Sequence, residues 1–165
     1  DSSFIARKIA RNRMLLLASP EFIETYGMPK HVEDLKELPA ASYSSPSKRI
    51  SGIRYRNVDG DIIEQNIKSV FRANDAEVLL MKAISGNAYV LAPAFILDDE
   101  VKRGYLVPIL TDMELLDYSA VYAVYPHRDL PVRTRLFFDA MREYIGKDIP
   151  VWEANIPDFD TMYKG

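Results

Sequence analysis

Residues 69–110 constrain the fold more than any other stretch, because they read as strand, helix, strand, helix, strand in 42 residues or so. Ser69–Arg72 is short and β-prone. Asn74 stands where an N-cap is needed, and Glu77 three residues later completes a capping-box pattern. Ala76, Leu79, Leu80, Ala83 and Ile84 fall on one helical face, and Gly86 follows as the stop. Ala88–Leu91 is an apolar run suited to a buried strand. Pro93 then opens a second predicted helix, which Gly104 ends. A strand, a helix of about ten residues and another strand imply a right-handed parallel crossover. The helix N-terminus then sits at the carboxyl end of the first strand, where open α/β sheets bind ligands and free N–H groups favour anions.

Composition narrows the function classes. The 165 residues suit one ordinary domain or two small lobes, and 48% hydrophobic content is enough for a core. A net charge of −3 argues against a nucleic-acid surface, which needs clustered Lys and Arg. The clusters Arg7-Lys8 with Arg11 and Arg13, and Arg128 with Arg133 and Arg135, are short and read as solvated faces. With no cysteine, the chain holds no disulfide, thiolate nucleophile or Cys-ligated zinc. No apolar run approaches the roughly 20 residues that span a bilayer. No signal peptide is visible, although a chain starting at Asp1 says little about what precedes it.

The remaining segments give a consistent α/β pattern. Phe4–Ala10 and Arg13–Ala18 read as extended, with Met14–Leu17 buried. Ser19 is an N-cap, Pro20 the first helical residue, and Gly27 the stop. His31–Leu38 reads as a short amphipathic helix with Val32, Leu35 and Leu38 inward. Ala40–Ser44 is a strand running into the polar turn Ser44-Ser45-Pro46-Ser47. Ile53–Arg56 and Ile62–Asn66 flank Asp59-Gly60 as a hairpin. Thr111–Asp117 is an acidic loop and Ser119–Tyr125 a strand. Asp129-Leu130-Pro131 starts a last helix, with Val132, Leu136, Phe137, Ala140, Met141, Tyr144 and Ile145 as its apolar stripe and Gly146 as its stop. Residues 147–165 form a tail that packs on the surface or joins a contact between chains.

Catalytic chemistry finds little support. His31 and His127 lie in different predicted elements without HxxxH spacing, and no nucleophile elbow, P-loop or dinucleotide fingerprint occurs. An enzyme is not expected, and no cofactor is implied. Asp98-Asp99-Glu100 reads as an acidic first helical turn rather than a metal site. The polar candidates are Asn74, either a plain cap or a cap that also faces a ligand, and Ser44, Ser45 and Ser47, either a turn or a hydroxyl cluster for a small anion.

The segment Asp1-Ser2-Ser3-Phe4-Ile5-Ala6-Arg7-Lys8, followed by Ala18-Ser19-Pro20-Glu21-Phe22, resembles the opening of LysR-type transcriptional regulator effector domains, in the subgroup carrying DSSLIARKL. Glu33-Asp34-Leu35, Arg72-Ala73-Asn74-Asp75, Val90-Leu91-Ala92-Pro93, Gly104-Tyr105-Leu106-Val107-Pro108 and Tyr122–Pro126 continue the likeness in order, over residues 1–146. The resemblance implies a type 2 periplasmic-binding-protein-like α/β fold of two lobes, the first of them incomplete. Residues 20–116 would form the second lobe, 1–19 and 117–146 the remainder of the first, and 147–165 a tail. It also implies a bacterial, cytoplasmic regulator that works as a dimer or tetramer and binds a small-molecule effector between its lobes, a carboxylate or an inorganic anion being favoured. DNA would be contacted only by the family's winged helix-turn-helix, which these residues do not include. The family's second-lobe contact points fall on Ser44 and on Asn74, where other members carry Thr. A solute-binding protein for transport is the alternative with the same fold. A non-liganded assembly domain is a third.

Overall fold

The computed structural model describes residues 4–126, 131–146 and 148–164. Asp1-Ser2-Ser3, His127 and the expected helix start at Asp129-Leu130 lie outside them. The chain opens with one long extended run. Strand β1 (Ile5–Asn12) leads through Arg13 into β2 (Met14–Ala18). All five residues of β2 are buried, as the apolar run Met14–Leu17 predicts. Helix α1 (Pro20–Tyr26) follows, and its cap is the expected one: Ser19 Oγ accepts from Phe22 N at 3.2 Å, and Gly27 ends it at φ +84°.

Strands β3 (Pro39–Tyr43), β4 (Gly52–Arg56), β5 (Ile62–Asn66) and β6 (Lys68–Ala73) come next, then α2 (Ala76–Ile84) and β7 (Tyr89–Pro93). Two-residue strands β8 (Val107–Pro108) and β9 (Glu114–Leu115) precede β10 (Ser119–Tyr125), α3 (Val132–Ile145) and a single-turn α4 (Val151–Ala154). The central sheet has the order β6-β3-β7-β2-β8. β3 is parallel to both β6 and β7, while β2 runs antiparallel to β7. The β6–α2–β7 crossover therefore spans one intervening strand, so α2 lies over β3 and buries Leu79, Leu80 and Ala83 on the sheet. β4 and β5 form the hairpin foreseen at Asp59-Gly60, and β9 extends it to a separate three-stranded sheet. β1 and β10 make a two-stranded antiparallel ribbon.

Several expectations give way. The cap of α2 is Asp75, not Asn74: the Asp75 carboxylate accepts from Glu77 N at 2.9 Å and Val78 N at 3.2 Å. Asn74 is exposed, one residue outside the helix. Both residue types cap well, and the shorter reach to the second and third helical N–H groups decides in favour of Asp75. The helix expected over Pro93–Gly104 is one 3-10 turn, Ala94–Ile96, because Pro93 ends β7 in extended geometry and Leu97 returns to it. The acidic run there closes a local turn, with Glu100 Oε2 accepting from Asp98 N at 2.8 Å. His31–Leu38 is likewise a 3-10 turn, Val32–Lys36, in which the Asp34 carboxylate accepts from Lys30 N and His31 N.

The apolar stripe of α3 remains uncovered among the described residues. Leu136 and Phe137 are each 63% exposed, and the inward contact is Phe138 against Tyr125. A two-stranded ribbon is too narrow to bury a wide helical face. The tail, by contrast, does not lie loosely on the surface. Ile156, Phe159 and Tyr163 belong to the same core as β2, α2 and β7.

Moving the cap has a measurable consequence. Asp75→Ala should lower unfolding free energy by about 1 kcal/mol through loss of the cap. Asn74→Ala should change it by less than about 0.5 kcal/mol, as an exposed substitution does. Urea unfolding of both variants distinguishes the two positions.

Candidate functional site

The carboxyl ends of the parallel strands β3, β6 and β7 place Tyr43, Ala73 and Pro93 along one edge of the central sheet. The run from β1 into β2 and the return from β9 into β10 both cross that edge. At this crossing lies a cavity of about 270 Å³. Its walls are Met14, Ile50, Leu79 and Ile96 together with Val90–Pro93 and Phe95, with Ala76 at the start of α2. Tyr43, Tyr118, Asn12 and Lys48 supply its polar character.

Each polar group has a structural cause. Asn12 is the last residue of β1 and pairs with Ser119. In extended chain, neighbouring side chains point to opposite faces. Arg11 and Arg13 turn toward the tail, where Arg11 grips both carboxylate oxygens of Glu153, through Nε at 3.0 and 2.9 Å, and Arg13 Nη1 donates to Phe159 O at 3.2 Å. Asn12 is left on the cavity side. Its Oδ1 is buried with no hydrogen-bond partner. Tyr118 donates its hydroxyl to Gly52 O at 2.6 Å, so its ring is fixed in the cavity wall, and burial pushes its phenol pKa up. Lys48 is carried to the mouth by a tight turn in which Ser45 N donates to Lys48 O at 2.8 Å and Ser45 Oγ accepts from Lys48 N at 3.1 Å. The Lys48 ammonium stands 5.5 Å from the centre of the Tyr118 ring.

At this edge Ser44 N donates at 2.9 Å to the carbonyl oxygen of Ala73, the residue before Asn74. None of Ser44, Ser45 and Asn74 lines the cavity; Tyr43, Lys48 and Ala76, beside them in sequence, do. Ser45 instead shapes the turn that presents Lys48. The inward residues Asn12, Lys48 and Tyr118 escape sequence reasoning. The one signal for Asn12 is its place in the polar tripeptide between two extended runs, and for Lys48 its place just after a Ser-Pro-Ser turn. A larger, more open groove of about 870 Å³ runs between residues 28–33, 55–58 and 108–114, with His31 on its wall. No buried unpartnered polar atom faces it among the described residues. Those residues also contain no group of three His, Cys, Asp or Glu that could hold a metal ion, and no helix long and apolar enough to cross a membrane.

The family model for the LysR substrate binding domain matches residues 1–146. The chain is 28% identical over 149 residues to the HTH-type transcriptional regulator DmlR of Escherichia coli, covering 90% of this chain and 48% of that protein. It is 26% identical over 152 residues to the HTH-type transcriptional regulator CrgA of Neisseria meningitidis serogroup B, covering 90% and 49%. It thus spans about half the length of these relatives. Among solved structures, it resembles the regulatory domain of AphB in Vibrio vulnificus, with a TM-score of 0.66, 31% identity, and 87% of this chain and 70% of that chain covered. The CrgA regulatory domain gives a TM-score of 0.71 and 25% identity, covering 88% and 71%.

The crossing also holds a carboxylate that keeps part of its surface in solvent. Asp117 Oδ1 accepts from Met14 N at 3.0 Å, and partial desolvation by the surrounding protein, the largest influence, raises its pKa from the ordinary 3.8. A carboxyl whose folded pKa is raised binds its proton more tightly in the native state. Stability therefore falls as pH rises from 3.8 through the folded value and is level above it. Asp117→Asn keeps an acceptor for Met14 N and removes the partly desolvated charge. Its unfolding free energy should lose that decline, and at neutral pH it should equal or exceed that of the parent. Urea melts across pH 3.5 to 7, roughly the window in which a perturbed carboxyl titrates, check this.

Proposed function

This chain belongs to the LysR substrate binding domain family, and on that premise we propose that it is the ligand-sensing module of a transcriptional regulator whose effector occupies the cavity at the strand crossing. The family's fold is type 2 periplasmic-binding-protein-like, and the mixed α/β sheets of this chain conform to it. Residues 20–116, holding most of the central sheet and the hairpin sheet, act as one lobe. Residues 1–19 and 117–146, whose β1–β10 ribbon carries α3, contribute to the other. The effector site then lies where these parts meet. Transport is not the favoured role, because the relatives are transcriptional regulators.

The observation that carries this reading is the cavity of about 270 Å³ itself, walled mostly by apolar side chains and lined by Asn12, whose Oδ1 is covered by the protein and unpartnered. A buried acceptor without a donor costs about 1–3 kcal/mol. Lys48 at the mouth adds a charge for a carboxylate. A small organic acid with an apolar body meets all of these features, and an inorganic anion meets only the last. Ser44, Ser45 and Asn74 form an outer polar rim that the acid group passes. In the whole regulator, effector binding here alters DNA binding by a winged helix-turn-helix domain, in a dimer or tetramer in the cytoplasm.

The test uses the full-length regulator and its thermal midpoint against aliphatic and aromatic monocarboxylates, inorganic phosphate and sulfate. At least one organic acid should raise the midpoint, since a ligand at 100 times its Kd stabilises by about 2.7 kcal/mol. Lys48→Ala and Asn12→Leu should each abolish that rise. Without ligand, Asn12→Leu should unfold at the same or higher urea concentration, because its side-chain oxygen has no protein partner to lose. Stabilisation by phosphate alone, or by an acid equally in all three proteins, overturns the assignment. Asn74→Ser, which has no cap to lose, should alter effector response while leaving the melting temperature nearly unchanged, and an unchanged response removes Asn74 from the site.

A further inference from the structure

We propose that the C-terminal segment 150–163 is a clasp that sets the geometry of the cavity, with Glu153 acting as a positioning residue for Asn12. The inference rests on the cavity being the effector site. The segment lies beyond the family match, which ends at residue 146, yet it is anchored at three places.

The first anchor is ionic. Glu153 is 3% exposed, and its carboxylate takes two hydrogen bonds from Arg11 Nε and a third from Arg11 Nη2. Arg13 approaches the same carboxylate at 3.9 Å, stacks on the Phe159 ring at 4.0 Å, and donates to the carbonyls of Phe159 and Met162. The second anchor is Tyr163. Its hydroxyl lies 2.7 Å from Ile109 O and accepts from Leu16 N at 3.2 Å, joining β2 to the end of β8. The third is Trp152, packed edge-on against Phe95 at 6.3 Å. Phe95 lines the cavity.

Arg11 and Arg13 flank Asn12 directly. Fixing both arginines on one face of the extended chain fixes the side chain between them on the other. The orientation of Asn12 in the cavity is thus determined from behind, by a carboxylate that does not touch the cavity. Among the described residues, two buried side-chain atoms have no hydrogen-bond partner: Asn12 Oδ1 and Trp152 Nε1. One belongs to a residue of the cavity lining and the other to the clasp. The clasp therefore holds the Asn12 side chain at the cavity wall with its Oδ1 covered by the protein.

The experiment reads the placement of the position-12 side chain without any effector, so its result stands apart from the thermal-midpoint test with organic acids. The full-length regulator carries Asn12→Cys, and the alkylation rate of that thiol by iodoacetamide is followed by peptide mass spectrometry. The same rate is measured with Glu153→Gln, with Glu153→Asp, and for a control thiol, Ala83→Cys, in the fully buried face of α2. With Glu153 intact, Cys alkylation at position 12 should be slow. Glu153→Gln should raise it at least tenfold, Glu153→Asp should return it to within threefold of the parent, and the rate at position 83 should not move. A rate at position 12 within twofold of the parent in Glu153→Gln overturns the proposal. A parallel rise at position 83 overturns it too, because Glu153 would then be bracing the whole domain rather than positioning Asn12.

Discussion

Strand β2 is buried on both faces, and that places a strict demand on everything around it. A strand in the middle of a core must find a partner for every backbone N–H and C=O, since water reaches none of them. β7 satisfies one edge of β2 from Met14 to Leu17. On the other edge, β8 reaches only Leu17 and Ala18. The gap is filled piecemeal: Ile109 N donates to Leu16 O at 2.9 Å, the Tyr163 hydroxyl accepts from Leu16 N, and the Asp117 carboxylate accepts from Met14 N. Three distant parts of the chain are therefore drawn to one strand by hydrogen-bond need as much as by apolar contact. That convergence brings the crossing, the tail and the end of β8 to the same place, and the cavity is the space left between them.

The same convergence explains why the crossing is polar on one side and apolar on the other. Leu15, Leu16 and Leu17 can be buried on both faces because β2 is central. Arg11 and Arg13 precede that burial and still need charge partners. Glu153 supplies one from the tail, and the pair is only partly desolvated, since the Arg11 side chain keeps 36% of its surface. Such a pair adds modest net stability, but removing one member leaves the other buried and unpaired. It acts chiefly to fix a geometry, and the geometry it fixes is that of Asn12.

Much of the architecture was legible in the residues because the relevant signals are local. Ser19 with Pro20 and Gly27 bounded α1, Asp59-Gly60 marked the hairpin, and the 3.6-residue spacing of Leu79, Leu80 and Ala83 marked α2. Adjacent cap candidates defeated the reading at Asn74, since sequence cannot say which of two neighbouring capping residues has the needed backbone angles. The Pro93 helix failed because a proline suits both the end of a strand and the start of a helix. The candidate site was less legible still. Ser44 bonds to Ala73, next to Asn74, at the sheet edge, and neither Ser44 nor Asn74 lines the cavity. Asn12, Lys48 and Tyr118 come from three separate segments, and only the folded chain brings them to one cavity. The family resemblance carried the domain's class and its expected role, and it carried nothing about residues 147–165.

Those last residues show where a family boundary and a physical boundary differ. The match to the LysR substrate binding domain ends at Gly146, where α3 also ends at φ +101°. The hydrophobic core does not end there. Ile156, Phe159 and Tyr163 are buried with β2 and β7, and the Tyr163 hydroxyl is shielded enough that its pKa is strongly raised by burial. A segment that contributes to the core is part of the folding unit. A change of side chain in it is felt at the strand it completes, while the residues that touch an effector stay the same. A domain of shared fold can thereby acquire a different cavity through residues that lie outside its shared sequence.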